Sequence, residues 1–406
     1  MISIDELIKK SDVETAFIIL LCRLYMQSAP EDEIVKFLKN NKIDEKRFYY
    51  LVCQNSIRPV VNDVITKYKI DISEDVKKRL VNDSKHFLFN SLNHLREISR
   101  LVELFNNNGI NIIPYKGATF AYAYYNNLSL REAGDIDFLV LKEDIPAIQQ
   151  IIYSEGYNSP IQYHYCEPSY QFAHTPSLDV NNDTKDQRNI HLEFHYHILN
   201  QDFGMVIENL PLMFDADSLK ISGKQIPMPS HEANCKIILT HHGMDDIWLS
   251  LKYYLDLALL CKKDENFNWD GVLAFCKQYG FYDNACIGFK NMELLLGIKS
   301  PVKTAIVNEN LRTQILNVLL LHDHYKDRYL KKTQLRIKTR DGYKWKAKMT
   351  SALFMRFIRP RDLDFKLFNL PRILYPLYYI MKPVRVFYRF TIGPLFFGDK
   401  NNTIFR

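Results

Sequence analysis

The chain is poor in residues that interrupt structure: 14 Gly and 16 Pro occur in 406 residues. That scarcity excludes collagen-like, low-complexity and disordered-linker character. Seven cysteines are scattered with no Cys-x-x-Cys pair. They read as reduced core thiols rather than a disulfide framework or a cysteine metal knuckle. No uncharged apolar run approaches the roughly 20 residues that cross a bilayer. The opening residues, Met1 to Asp12, lack the basic start, apolar run and small-residue cleavage site of an export signal. The expectation is a cytoplasmic protein whose C-terminal tail is able to touch the inner membrane surface. Charge of one sign is also scarce. A net +6 permits an anionic partner without demanding one, although the Lys/Arg-rich stretches concentrate in the last third.

What is present is an ordinary globular composition, 47% hydrophobic and 25% charged, at a length that suggests two or three domains. Residues 1–98 read as an N-terminal helical region. Leu7, Ile8, Val13, Ala16, Phe17, Leu20 and Leu21 recur at helical spacing, with Asp12 as an N-cap. Phe87 to Phe105 continues as an amphipathic helix that Asn106 to Gly109 ends. Residues 99–230 change character to an α/β core with a mixed sheet. A short strand over Ile110 to Ile113 turns at Lys116-Gly117-Ala118 into a helix reaching Tyr125, and strands follow at Asp135 to Val140 and His191 to Leu199. Hairpins or loops are expected over 158–189, with turns at 181–183. Residues 231–340 return to helices (Glu232 to His242, Trp248 to Cys261, Trp269 to Tyr279 and beyond), and 341–406 form a basic aromatic segment.

The informative run is Arg131-Glu-Ala-Gly-Asp135-Ile-Asp137-Phe-Leu-Val140. Strand alternation puts Asp135 and Asp137 on one face and Ile136, Phe138 and Val140 on the other. Two carboxylates on one strand face repel, an unfavourable arrangement unless a cation lies between them. Mg²⁺ takes such hard oxygen ligands and leaves positions for substrate phosphates. His191-Leu-Glu193-Phe-His195-Tyr-His197 repeats the alternation, and Glu193 completes a three-carboxylate cluster if the two strands are neighbours. Such a cluster can hold two metals. A bare Asp-x-Asp also fits a solvated edge. The upstream Lys116-Gly117 turn, which presents backbone N–H groups to a phosphate, tips the reading toward phosphoryl chemistry. A four-ligand zinc site built from the His191–His197 strand alone is excluded, because same-face neighbours lie about 7 Å apart and only two of them reach one ion.

Together, Lys-Gly-Ala at 116–118, Arg-x-x-Gly-Asp-Ile-Asp-Phe-Leu-Val at 131–140, His-Leu-Glu-Phe-His at 191–195, Leu239-Thr-His-His242 and the Tyr254 to Leu260 helix carry a resemblance. They resemble the uncharacterised nucleotidyltransferase family of the DNA polymerase beta-like superfamily, over most of the chain. The resemblance implies an α/β (α+β) core flanked by N-terminal and C-terminal helical regions. It implies transfer of a nucleoside monophosphate from an NTP to an acceptor, a small molecule, glycan or protein. It further implies Asp135, Asp137 and Glu193 as ligands of two Mg²⁺ ions, with Gly117 shaping the phosphate turn. Independently of the family, Lys116 and Arg131 are the nearest cations in sequence to triphosphate charge; Lys116 can alternatively pair with a neighbouring acid for stability, and Arg131 with Glu132 or a core carboxylate. The superfamily's usual Gly-Ser turn is Gly117-Ala118 here, which removes one hydroxyl contact. That departure motivates a competing expectation, a catalytically inactive binding or accessory protein of the same fold, associated with surface-polysaccharide synthesis.

Three further features carry expectations. The pair His241-His242 before Gly243 either caps a helix or has one member, His242 by preference, lining the nucleotide cleft or acting on the acceptor. Asp256, among leucines, requires a partner, and Lys252 is one turn away. In the tail, Lys344, Lys346, Lys348, Arg356, Arg359, Arg361, Lys366, Arg372, Lys382, Arg385 and Arg389 interleave with aromatics. This pattern fits a segment wrapping the body, a membrane surface, or, less well, a single-stranded nucleic acid. Pro360, Pro371, Pro376, Pro383 and Pro394 divide it, excluding one long helix.

Overall fold

The computed structural model describes residues 1–158, 177–181, 190–199, 203–207, 209–221, 223–302, 308–321, 325–360, 364, 367 and 370–388. The expected turn at 182–183, Cys166, Arg361, Phe365, Lys366, Phe368, Arg389, Phe390 and Pro394 lie outside them.

Five helices, Ile4–Lys10, Val13–Tyr25, Asp32–Asn40, Glu45–Gln54 and Arg58–Lys67, open the chain. Ser3, Asp12 and Asp44 cap three of them by accepting from backbone N–H groups of the first turn. Arg23 is buried and ties this layer to the distal helix Tyr282–Leu296: its guanidinium donates to the Leu295 carbonyl at 2.7 Å and the Ile2 carbonyl at 2.8 Å. The long helix Glu74–Asn107 runs through the centre. Its start (Val76, Leu80) packs in the large helical core, and its end (Leu95, Ile98, Leu101, Val102, Phe105) packs beneath the sheet.

The sheet has the order β1 (Ile113–Tyr115), β2 (Ile136–Leu139), β4 (His191–His195), β3 (Ser177–Asn181). β2 and β4 run parallel, and the two outer pairs are antiparallel. One face is apolar: Ile136, Phe138, Val140, Leu192 and Phe194 pack on Phe105 and on Ile145, Ile148 and Ile152 of helix Ile145–Ser154. Phe138 stacks on Phe194 at 5.2 Å, and Phe105 meets Phe194 edge-on at 5.7 Å. The opposite face carries the charged residues. A separate hairpin, β5 (Ala216–Ile221) and β6 (Lys224–Pro229), leads into helix His231–Ile238.

The strands are shorter than the alternation suggested, since β4 ends at His195 and leaves His197 beyond it. Asn209 clamps the point where they part, donating to the carbonyls of Val140 and His195 at 3.2 and 2.6 Å. The strand expected at Ile110 to Ile113 lies later, at Ile113–Tyr115. Helix Leu251–Lys263 follows, then Asp270–Gln278, Tyr282–Leu296, Glu309–Leu321, Tyr325–Lys338 and Gly342–Ile358. In the tail, Pro360 follows a helix end as expected, but Pro383 lies inside helix Tyr378–Phe387. One missing N–H is tolerated there because Tyr378 and Lys382 anchor the helix from its buried side.

Candidate active site

The sheet register assembles the charged face. Asp137 stands opposite Glu193, Tyr115 opposite Asp137, and Asp179 opposite Glu193. One row therefore crosses the sheet as Tyr115, Asp137, Glu193, Asp179. Asp135, just before β2, is half-buried beside that row, whereas Asp137 is only 6% exposed. His195 sits between the two central acids: its Nε2 lies 2.9 Å from Asp137 Oδ1 and 2.9 Å from Glu193 Oε2. Its ring meets Tyr115 edge-on at 5.6 Å.

Burial and charge push the two aspartates in opposite directions. Burial, then the neighbouring Asp137 and Glu193 charges, raises the Asp135 carboxyl above its ordinary range. Burial would raise Asp137 too, but the Lys116 ammonium and the His195 imidazole outweigh it and hold that carboxyl low. Glu193 is likewise held low by His191 and His195 against its burial. Burial opposes the charged form of His195, yet its bonds to Asp137 and Glu193 lift it to about 9. His195 thus lies between the acids as the ring that their charge draws toward its protonated form.

Lys116 occupies a left-handed backbone conformation, φ +56°, followed by Gly117 at φ +38°. Two such residues in sequence make the sharp turn from β1 into helix Gly117–Phe120. The Lys116 ammonium lies 3.9 Å from Asp137 Oδ1 and 4.6 Å above the Tyr115 ring. Ala118 is buried in the sheet core.

Arg131 is committed elsewhere. It is buried and forks onto Asp256, with Nη2 to Oδ2 at 2.9 Å and Nε to Oδ1 at 3.1 Å. Asp256, 0% exposed, also accepts from the Tyr125 hydroxyl at 2.7 Å and pairs with His242 Nε2 at 2.9 Å. The core-carboxylate alternative for Arg131 is therefore the one observed, and Glu132 pairs with Arg58 instead at 2.6 Å. The Lys252 partner expected for Asp256 is corrected: Lys252 donates to the Glu132 carbonyl at 2.7 Å. Arg131 reaches Asp256 across 125 residues with a fork that a lysine lacks. His242 is only 2% exposed, in a wide π turn, Leu239–Asp245, that continues helix His231–Ile238.

These elements surround a cavity of about 700 Å³. Lys116, Gly117, Arg131, Asp135, Asp137, Glu193 and His195 line one side; His241, His242, Asp245, Lys252 and Tyr253 line another. Phe203, Arg336, Met349, Leu353 and Arg356 form the remaining wall. The volume suits a nucleotide-sized ligand.

A family model described as an uncharacterised nucleotidyltransferase matches residues 41–297, well over half of the chain. The chain belongs to this family. No curated protein and no solved structure matches it. The match covers the Lys116 turn, the acidic row, the π turn and helix Leu251–Lys263. The cavity wall from helices Tyr325–Lys338 and Gly342–Ile358 lies outside it.

Sequence reasoning left Lys252 out of the site, weighed His195 only in a strand-borne zinc arrangement, and weighed His241 only in its pair with His242. His195 was visible as a same-face neighbour of Glu193, but its contact with Asp137 depends on the β2–β4 register. Burial, then Arg131, lowers the Lys252 ammonium to about 8, an effect of tertiary packing with no local sequence signal. His241 Nδ1 lies 3.2 Å from His242 Nδ1 and 3.4 Å from Asp246 Oδ2.

Proposed function

We propose that this member of the nucleotidyltransferase family transfers a nucleoside monophosphate from an NTP to an acceptor, using Mg²⁺ held by Asp135, Asp137 and Glu193. The observation that carries the reading is the facing pair Asp137 and Glu193 on parallel strands, with Asp135 beside them at the cavity wall. The donor set fits the metal. It offers hard carboxylate oxygens on one face, with the Lys116 ammonium and the His195 ring set against them. Bound there, divalent ions supply charge neutralisation and polarisation of phosphoryl oxygens.

The chain's own groups do the rest. Lys116 and Lys252 bring positive charge to the cavity rim nearest the carboxylates, where triphosphate charge is to be bound. Gly117, with φ +38°, lets backbone approach a phosphate closely at the Gly117-Ala118 turn. Arg131 and His242 act through Asp256, holding the turn and the π segment in place rather than touching the donor. Arg131 Nη1 reaches the Gly117 carbonyl at 3.4 Å, which links that network to the phosphate turn. His241 lines the cavity wall, and burial, then the Lys116 charge, lowers its pKa well below the ordinary value, so the ring there is neutral.

Thermal unfolding with ATP, GTP, CTP and UTP, with and without Mg²⁺, tests this. One nucleotide is expected to stabilise the protein only with Mg²⁺, by about 2.7 kcal/mol at a hundredfold excess over Kd. Asp135→Asn/Asp137→Asn is expected to abolish that shift while remaining folded. A nucleotide shift indifferent to Mg²⁺ and to the double substitution would reject the metal assignment and favour the inactive binding-protein alternative.

A further inference from the structure

Helix Tyr378–Phe387 is amphipathic in the inverted sense. Its charged residues are turned inward: Lys382, only 4% exposed, donates to the Arg356 carbonyl at 2.6 Å and to the Arg359 carbonyl, at the end of helix Gly342–Ile358. Arg385 pairs with buried Asp364 at 2.7 Å. These bonds fix the helix rotation. The residues left outside are Ile380, Val384 and Phe387, which share one face at i, i+4, i+7 and are 63–66% exposed. Ile373 before the helix is 85% exposed, and Phe354 and Phe357 on helix Gly342–Ile358 are 64% and 55% exposed. Aliphatic and aromatic exposure on this scale, concentrated in one segment, marks a surface that meets an apolar partner.

Charge identifies the partner. Residues 342–388 contain ten Lys/Arg and two Asp, whereas residues 1–341 contain 40 Lys/Arg and 44 Asp/Glu. Lys344, Lys346 and Lys348 are exposed along the start of helix Gly342–Ile358. A second copy docking face to face would bring two such basic segments together, a like-charge arrangement. A single-stranded nucleic acid takes aromatic stacking platforms, which Ile373, Ile380 and Val384 do not provide. An anionic bilayer satisfies both halves: its headgroups attract the lysines and its acyl boundary takes the aliphatic face. No helix among the described residues is long and apolar enough to cross a membrane, so the contact is interfacial.

We propose that helices Gly342–Ile358 and Tyr378–Phe387, with Ile373, dock the protein on an anionic phospholipid surface. The same helix Gly342–Ile358 turns Met349 and Leu353 toward the candidate active-site cavity, so docking places that cavity beside the bilayer. Sedimentation of the full chain with vesicles tests the proposal. Phosphatidylcholine vesicles containing about 30 mol% phosphatidylglycerol are expected to pellet the protein at low salt and release it near ~1 M salt. Vesicles of phosphatidylcholine alone are expected to bind at least about tenfold more weakly. Ile380→Ser/Val384→Ser/Phe387→Ser and Lys344→Glu/Lys346→Glu/Lys348→Glu should each lose at least about tenfold in apparent affinity. Both variants change exposed side chains, and unchanged thermal unfolding and unchanged nucleotide-dependent shifts verify that fold and cavity are intact. The proposal is overturned if the wild-type chain stays in the supernatant with both vesicle types, or if the variants pellet as well as the parent. It is equally overturned if light scattering shows a dimer that the apolar triple variant dissolves, or if single-stranded oligonucleotide binds where vesicles do not.

Discussion

Two clusters of buried charge lie next to each other and are built on opposite rules. Around Asp256 the account closes: one carboxylate, 0% exposed, meets Tyr125, the Arg131 fork and His242. Burial opposes its ionisation, and Arg131 and His242 overcome that, holding the carboxyl far below its ordinary range. Around Asp137 the account stays open: three carboxylates face Lys116 and His195, and Asp135 is pushed up by burial and by its acidic neighbours. A closed network serves the fold, because removing any partner strands a buried charge. An open one leaves its acids short of cations; both border the cavity, the open one through Asp135, Asp137 and Glu193 and the closed one through Arg131 and His242. On the proposed function, Arg131 serves the fold and Asp135 the chemistry, although they are four residues apart.

The largest expected effect breaks the closed network. Arg131→Met leaves Asp256 without its cation and should cost roughly 3–5 kcal/mol in urea unfolding. The remaining folded protein should still respond to nucleotide. If instead stability changes by less than about 1 kcal/mol and the nucleotide shift disappears, Arg131 belongs to the open site and the division fails.

A buried histidine lacking such a network sharpens the contrast. His94, on helix Glu74–Asn107, is 4% exposed, its Nδ1 has no hydrogen-bond partner among the described residues, and burial alone lowers its pKa to about 4. Between pH 6.5 and about 4 the unfolded chain takes up a proton that the folded chain refuses. Stability is therefore full above the unfolded value and lost as pH falls through that window, by up to roughly 3 kcal/mol. Unfolding measured across this range should show the loss, and His94→Leu should flatten it. An unchanged slope in the variant would assign acid lability to other groups.

How legible was this from sequence? The period-2 alternation of 135–140 and 191–195 reveals both faces of the central strands, because side-chain direction on a strand is local. Their parallel pairing is not local, so the Asp137–Glu193 facing remained conditional. Asp256 shows the limit most sharply. Helical spacing offers Lys252, one turn away, whereas the observed partner is 125 residues distant. Local rules identify a residue that needs a partner, and tertiary packing selects which partner it gets. The tail fails differently: its charge and aromatic content were plain, but the inward turn of Lys382 and Arg385 follows from carbonyls and Asp364 that only the folded chain brings near.

The smallest expected effect falls on the seam between the two clusters. Gly117 adopts φ +38°, and a Cβ there would lie 3.4 Å from the Asp135 carbonyl oxygen and 3.9 Å from Ala133 Cβ. Its own carbonyl receives Arg131 Nη1, so it belongs to both regions. Gly117→Ala should destabilise by about 1 kcal/mol through backbone strain. The strained turn lies against the Asp135 carbonyl, so the Kd of the Mg²⁺–nucleotide complex should rise about fivefold, the equivalent of about 1 kcal/mol. Measuring both quantities in one variant separates the regions. A stability loss with unchanged Kd would mean the turn serves only the closed network, and a Kd change without stability loss would place it wholly in the open site. Both together are what a shared seam requires.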